Sequence, residues 1–427
     1  MELLRKADLR TLPPSEQVEY LEDAALSSFD FLASYQQSNG LIPASLGRFD
    51  DEHFNGTAWS RDLAEVAMLG VDHYLTRYLP QIALRAETLS LNVMRGTLNL
   101  YGRGEAWERL KTRPYLQENG YYTIEDETAA PVKWYLDGSI VTEWGHHQPD
   151  AIARVIKVAF LMIKSGLPLL DEMTTESRPM GEVLQALVGY QSNLRLGYHQ
   201  CRAMWEHGKG ETAISTIYKY TDSSIEAFKG WSIIEQDSRK RGYNLTTSRS
   251  EIAKGVYDAL AYGRRKAPHD FTDPYCHPEP EDAAQLTVAS ETNPPLHERE
   301  RVVQQTSKLE RHHGLIRFEG DPWKKGKGEA PWFLPLLYMI QQKSIIAMEY
   351  LAKNSRATAK TYLDGALIDI NKAEKIISDV GYPPELHYQQ DDGEEKANNN
   401  DLVWIRTLLV RSYPTTIGAI DTLQRAA

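Results

Sequence analysis

Apolar residues recur at the three- and four-residue spacing of an α-helix along nearly the whole chain, and sustained alternation of Val, Ile and Thr is hard to find. Ser15-Glu16 opens a segment with Val18, Leu21, Ala25, Phe29 and Leu32 on one face, closed by Asn39-Gly40. A second begins at Asp62 and runs through Leu63, Val66, Ala67 and Val71. Gln148-Pro149-Asp150 precedes Ile152, Val155, Ala159 and Ile163, ending at Ser165-Gly166, with a proline and a carboxylate where a helix start prefers them. Trp332 to Lys353, Arg356 to Ser378 and Asp401 to Arg411 follow the same rule. The expectation is an all-α chain of paired helices closing into a helical barrel. Irregular stretches are expected at about 101–145, 265–300, 310–331 and 381–400. No Gly/Ser linker divides the chain, and the Pro/His/acidic run Pro268–Pro295 carries Phe271, Tyr275 and Leu286, so it reads as an ordered excursion within a single domain spanning 1–427.

Charge narrows the partners. The 48 Lys and Arg against 59 Asp and Glu leave a net charge of −11, without the cationic surplus that nucleic acid requires. Anionic lipid is disfavoured for the same reason. The longest apolar run, Val158 to Ile163, falls far short of the ~18 residues of a membrane span. Met1-Glu2-Leu3-Leu4-Arg5-Lys6 lacks the apolar core of a secretory signal, and two cysteines, Cys201 and Cys276, make no disulfide scaffold. A cytoplasmic protein is expected.

The familiar catalytic motifs are missing. Gly208-Lys209-Gly210 lacks the hydroxyl and spacing of a phosphate loop, and there is no His-Glu-x-x-His, Cys-x-x-Cys or Gly-x-Ser-x-Gly. The doublets His146-His147 and His312-His313 read as hydrogen-bonded or solvated rather than metal-binding, because adjacent side chains on a helix diverge. No metal and no cofactor is expected.

Instead, the loop–helix junctions concentrate Trp, Arg and carboxylates. The clusters are Trp59-Ser60-Arg61-Asp62, Trp144 to Asp150, Met204 to Gly208, Gly314 to Phe318 with Ala330 to Phe333, and Pro383 to Leu386. In a barrel of paired helices such junctions line one rim, so distant clusters converge. A pyranose presents an apolar face to an aromatic ring and paired hydroxyls to a guanidinium or carboxylate. Cleaving a glycosidic bond adds one carboxylic acid to protonate the leaving oxygen and one carboxylate to activate water. Glu206, beside Trp205, suits the acid, since an apolar neighbour raises a carboxyl pKa. Glu385, behind two prolines that stiffen its backbone, suits the base.

In order and local wording these clusters resemble glycoside hydrolase family fifteen, the glucoamylases, and the related amino-terminal domains of the phosphorylase kinase alpha and beta subunits. Trp59-Ser60-Arg61-Asp62 resembles the Trp-x-Arg-Asp element that holds the non-reducing glucose, and Trp144-Gly145-x-x-Gln148-x-Asp150 the Trp-Gly-x-x-Gln-x-Asp run. Trp205-Glu206 is similar to the Trp-Glu bearing the general acid, although the family follows it with an acidic residue and this chain has His207. Arg317 resembles the substrate-binding arginine of a Gly-x-x-Arg stretch, Trp332-Phe333-Leu334 a helix start, Glu385 the general base and Asp401-Leu402-Val403-Trp404 the closing Asp-Leu-x-Trp. The likeness runs collinearly from about 40 to 412. The wording near 307–321 and 384–386 leans toward the phosphorylase kinase branch.

The resemblance implies an (α/α)6 barrel and an inverting hydrolase that removes glucose from the non-reducing ends of α-linked glucans or oligosaccharides, with Glu206 as acid and Glu385 as base. The implied substrate contacts are Trp59, Arg61, Asp62, Trp144, Gln148, Trp205, His207, Arg317 and Trp332. Two other readings stand beside it: a non-catalytic glucan-binding regulatory subunit of the phosphorylase kinase type, and a sugar epimerase leaning on His207. Five of the nine tryptophans, Trp59, Trp144, Trp205, Trp332 and Trp404, fall in the resembling segments. Neither the linkage preference nor the oligomeric state is written in these motifs.

Overall fold

The computed structural model describes residues 8–46, 56–118, 120, 122–142, 146–195, 200–201, 210–211, 214–266, 283–311, 314–317, 324–325, 328–329, 331–389, 395–400 and 402–426. For some residues within helices and strands, Glu385 among them, only the backbone is described. In chain order the helices are α1 (Pro14–Ser34), α2 (Ser60–Met68), α3 (His73–Tyr78), α4 (Pro80–Tyr101), α5 (Gly104–Arg109), α6 (Pro149–Lys164) and α7 (Met180–Asn193). They continue with α8 (Ile214–Arg241), α9 (Arg249–Lys266), α10 (Ala284–Thr292), α11 (Leu296–Ser307), α12 (Phe333–Ala352), α13 (Arg356–Val380) and α14 (Val403–Arg425).

Packing sorts the longer helices into two layers. α2 packs on α6, α6 on α8, α8 on α10, α10 on α12 and α12 on α14, and α14 returns to α2. This closed inner ring is wrapped by α1, α4, α7, α9, α11 and α13, each lying against inner helices, and the result is an (α/α)6 barrel. The layers follow from sequence. α2 buries every residue from Ser60 to Ala67 and α6 all but two of its sixteen, so neither has a polar face to give to solvent. α13 instead buries Leu363, Ala366, Leu367, Ile370 and Ala373 at helical spacing and exposes the opposite side, as an outer helix must. One continuous apolar core runs from Leu9 to Ile420.

A buried charge network ties three inner helices together. Arg154 of α6 grips Glu65 of α2 with Nε at 2.8 Å and Nη2 at 2.9 Å. Arg411 of α14 reaches the same carboxylate at 3.1 Å and, through Nε, Asp72 at 2.9 Å. Asp72 is also the N-cap of α3, accepting from the backbone N–H groups of Tyr74 and Leu75. All four side chains are buried. Burial alone would lower the Arg411 pKa, but Asp72 and Glu65 outweigh it and hold the guanidinium above its usual range.

Several expectations shift. The stretch 101–145 contains α5, and 265–300 contains α10 and the first five residues of α11. α10 (AQLTVASET) escapes a periodicity reading because Ala284 to Ala289 are all buried, leaving no polar stripe to count. The helix expected to end at Arg411 runs on to Arg425 through Pro414, a residue that ordinarily stops a helix. Here Ser412, Tyr413, Thr415, Thr416 and Ile417 are all buried, and tertiary packing overrides the breaker. The expected irregular run 381–400 holds an antiparallel hairpin, Pro384–Gln389 with Glu395–Asn400. No helix among the described residues is long and apolar enough to cross a membrane.

Candidate active site

The sequence clusters fall at the starts of inner helices, and direct contacts join those starts into one rim. α2 begins with Ser60, Arg61 and Asp62, all buried, behind Trp59 as N-cap. Arg61 Nη2 donates to Gln148 Oε1 at 3.0 Å, the residue just ahead of α6, and lies 3.0 Å from Asp150 Oδ2 in its first turn. The same guanidinium stands 5.5 Å from the ring centre of Trp404, at the start of α14. Trp404 Nε1 in turn donates to the Tyr338 hydroxyl of α12 at 3.1 Å, with the two rings edge to face. Arg61, Gln148 and Asp150 are each over nine-tenths buried, so the guanidinium is fixed by its partners rather than by solvent.

The other side of the rim is built by the Gly314–Arg317 segment. Leu315 and Trp332 exchange backbone hydrogen bonds of 3.3 and 2.7 Å, and the Ala283 N–H donates to the Arg317 carbonyl at 2.7 Å, so this segment links the starts of α10 and α12. Gly314 is required there: its φ is +145°, and a Cβ would meet the Trp332 carbonyl oxygen at 2.6 Å. Arg317 is buried, with its guanidinium 4.4 Å from the Trp332 ring centre. Two residues expected to bind substrate separately therefore form one stacked pair.

Trp59 is held similarly. Its Nε1 donates to Thr57 Oγ1 at 3.1 Å, and buried Lys133 sets its ammonium 4.4 Å from the ring centre. The strands Thr57–Trp59 and Lys133–Tyr135 pair antiparallel, which brings these side chains together. Beneath them Ser60 Oγ accepts from the Tyr101 hydroxyl at 2.8 Å and from Trp134 Nε1 at 3.1 Å. Burial pushes the Tyr101 phenol well above its usual range, so it serves as a neutral donor.

His146 links this ladder to the loop ahead of α6. Its Nδ1 accepts from the Val132 N–H at 3.2 Å while Nε2 faces the Val141 carbonyl, so the neutral tautomer protonated on Nε2 satisfies both. Burial, with Arg109 and Lys133 nearby and against the opposing pull of the Val141 bond and Asp126, lowers its pKa to about 4. His146 is thus a neutral strut, in line with the hydrogen-bonded reading of this doublet.

Of the candidate residues, Trp59, Arg61, Asp62, Gln148, Arg317 and Trp332 lie on this rim. Trp144, Trp205, Glu206 and His207 lie outside the described residues. The flanking backbone is described: Gln200–Cys201 pairs with Gly210–Glu211 just ahead of α8. The backbone of Glu385 lies in the first strand of the hairpin, which contacts α12 and α13, and the second strand precedes α14. His312 and His313 are also outside the described residues, and among those described no cluster of His, Cys, Asp and Glu is arranged to hold a metal ion.

Sequence reasoning passed over Asp150 and Lys133 as site residues. Asp150 was legible as a helix-start carboxylate and as the end of the Trp144–Asp150 run, but not as the partner of Arg61, 89 positions away. Lys133 carried no signal, because a lone cation in an irregular stretch reveals nothing of the indole it covers. Tyr338, the partner of Trp404, looks like one more apolar residue of a buried helix.

No family model matches the sequence, and no curated protein does. Solved structures match in fold. The glucoamylase from Saccharomycopsis fibuligera superposes with a TM-score of 0.64 at 12% identity, covering 97% of each chain. The glucoamylase of Hormoconis resinae gives 0.62 at 12% identity, over 94% of this chain and 74% of its own. A wild-type glycosidase gives 0.58 at 15% identity, over 95% of this chain and 99% of its own.

Proposed function

We propose that this chain is a glycoside hydrolase of the glucoamylase type, an inverting enzyme that releases glucose from the non-reducing ends of α-linked glucans or oligosaccharides. The observation that carries this reading is the convergence of Arg61, Gln148 and Asp150 with Trp404 at the junction of three inner helices: a buried guanidinium held by an amide and a carboxylate, beside an indole. Such a fork matches two adjacent sugar hydroxyls, and the indole suits a pyranose face. The likeness of the barrel to those of glucoamylases supports the same reading.

Glu206 is the proposed general acid, passing its proton to the glycosidic oxygen as the bond to the anomeric carbon breaks. Glu385 is the proposed base, taking a proton from the water that attacks the opposite face. Inversion requires the two carboxyl groups to stand about 6.5–9.5 Å apart, leaving room for that water. Trp59, Asp62, Trp144, Trp205, His207, Arg317 and Trp332 are proposed to line the substrate path. Lys133, covering Trp59, is proposed to fix the indole plane. The 427 residues are proposed to form one catalytic domain. The wording near 307–321 and 384–386 supports a proposed place near the phosphorylase kinase branch with turnover retained, and two cysteines suit the proposed cytoplasmic setting.

A panel of α-linked disaccharides and maltooligosaccharides, read as free glucose, tests the activity and its linkage preference together. Glu206→Gln and Glu385→Gln are each expected to lower turnover by orders of magnitude while sugar binding survives. Full activity in both variants would remove these two residues from the mechanism. Sugar binding with no turnover in the unmodified protein would favour the regulatory-subunit reading.

A further inference from the structure

A cavity of about 300 Å³ lies on the barrel wall, between the turn after α1 and the C-terminal half of α4. Its lining is rich in side-chain amides: Gln36, Gln37, Asn39, Asn92 and Asn99 all reach it. One cation, Arg95, contributes, paired with Glu172 at 3.3 Å, so the lining carries no net charge. Met173 and Met180 supply an apolar patch. Gln36, Gln37 and Asn39 each spend one N–H on a backbone carbonyl, and Asn39 and Asn99 each accept from a backbone N–H. Every amide keeps a second N–H and lone pairs, a mixed lining that suits a ligand that is neutral and covered in hydroxyls and disfavours an anion or a cation. The volume is at the lower end of the ~300–1,000 Å³ of small-molecule sites.

The walls of the cavity pack closely against one another. Gly40, at φ +87°, sits so close to α4 that a Cβ there would meet the Asn92 carbonyl oxygen at 2.3 Å, and a Cβ on Gly96 would meet that of Asn39 at 2.6 Å. The turn is closed by the Gln37 N–H bond to the Leu41 carbonyl at 2.8 Å. Asn99 Oδ1 accepts from the Thr175 N–H at 2.8 Å. Asn92 lines the cavity from α4. Arg95 Nε is buried without a hydrogen-bond partner.

The same turn touches the rim. Asn39 Nδ2 donates to the Leu136 carbonyl at 2.8 Å, just after the strand that covers Trp59, and the chain beyond Gly40 runs to Ala44, whose N–H bonds Thr57 and whose carbonyl accepts from Val403. We propose that this amide-lined cavity is a second carbohydrate site, taking one or two glucose units of a glucan chain at a distance from the catalytic rim. That the ligand is a glucan rests on the hydrolase reading, and the amide-rich, uncharged lining by itself suits a neutral polyol. A chain held here has an end or branch kept near the rim, which raises its effective concentration there without any new catalytic contact.

Isothermal titration with maltohexaose tests the proposal, using the unmodified protein, Asn92→Ala to remove an amide and Asn92→Phe to fill the space, with thermal melts confirming that each variant folds. Two sites are expected in the unmodified protein. Both variants should lose the second or weaken it at least tenfold, with kcat/KM on maltose unchanged and KM on a soluble glucan raised severalfold. A single site, or two sites unaffected in a folded variant, overturns the proposal. Should the unmodified protein bind at two sites yet hydrolyse nothing, the hydrolase reading falls and the second site stands.

Discussion

Arg61 concentrates the chemistry of the rim in one side chain. It is buried, bonded to Gln148, paired with Asp150 and set beside Trp404, so its planar fork is held in place by its neighbours. Arg61→Lys keeps the charge and loses the fork. The expected outcome is a fall in kcat/KM on maltose of about 100-fold, the size of one or two charge-assisted hydrogen bonds, with an unchanged circular dichroism spectrum. Activity within a few-fold of the parent would contradict this role. His146 makes the second prediction at this scale. Its folded pKa of about 4 lies below the unfolded histidine value of about 6.5, so the unfolded chain binds more protons between the two. The stability it contributes is complete above about pH 6.5 and is lost as pH falls through that window, by about 3 kcal/mol. Urea unfolding at pH 7 and pH 4.5 measures it, and His146→Asn is expected to be less stable at pH 7 and to show a shallower acid dependence. An equal acid dependence in the variant would refute the strut.

At the scale of elements, the inner helices α2, α6 and α14 are joined through the single carboxylate of Glu65. Glu65→Ala removes the carboxylate that Arg154 and Arg411 both grip in the core and leaves Asp72 paired to Arg411. The expected destabilisation is about 3–5 kcal/mol, read as a drop in urea midpoint at constant m-value. A cost below about 1 kcal/mol would show that the network is already screened. Most helices were legible because their faces differ: α1 and α13 show the stripe of an outer helix, and Gln148-Pro149-Asp150 announces the start of α6. What hid was hidden by burial. α10 has no polar face to give a period, and the end of α14 passes through Pro414, whose tolerance depends on packing by residues distant in sequence.

The whole molecule explains why sequence clusters hundreds of positions apart were readable as one site. A closed ring of inner helices sets their first turns side by side, so each loop–helix junction contributes one or two residues to the rim. Spacing along the chain names the junctions, but it cannot say which side chains meet across them. The stacking of Arg317 on Trp332, of Lys133 on Trp59, and the pairing of Arg61 with Asp150 are consequences of ring closure and carry no local signature. The acidic balance also takes a more specific meaning at this scale. A neutral glucan is indifferent to the field of a net charge of −11, whereas a polyanion is repelled by it. Proton NMR of the glucose released in the first seconds of maltotriose hydrolysis tests the central claim most directly. An inverting enzyme using Glu206 and Glu385 delivers β-glucose first, with the α anomer growing in only by mutarotation. Initial α-glucose, or no glucose at any enzyme concentration, would contradict the account.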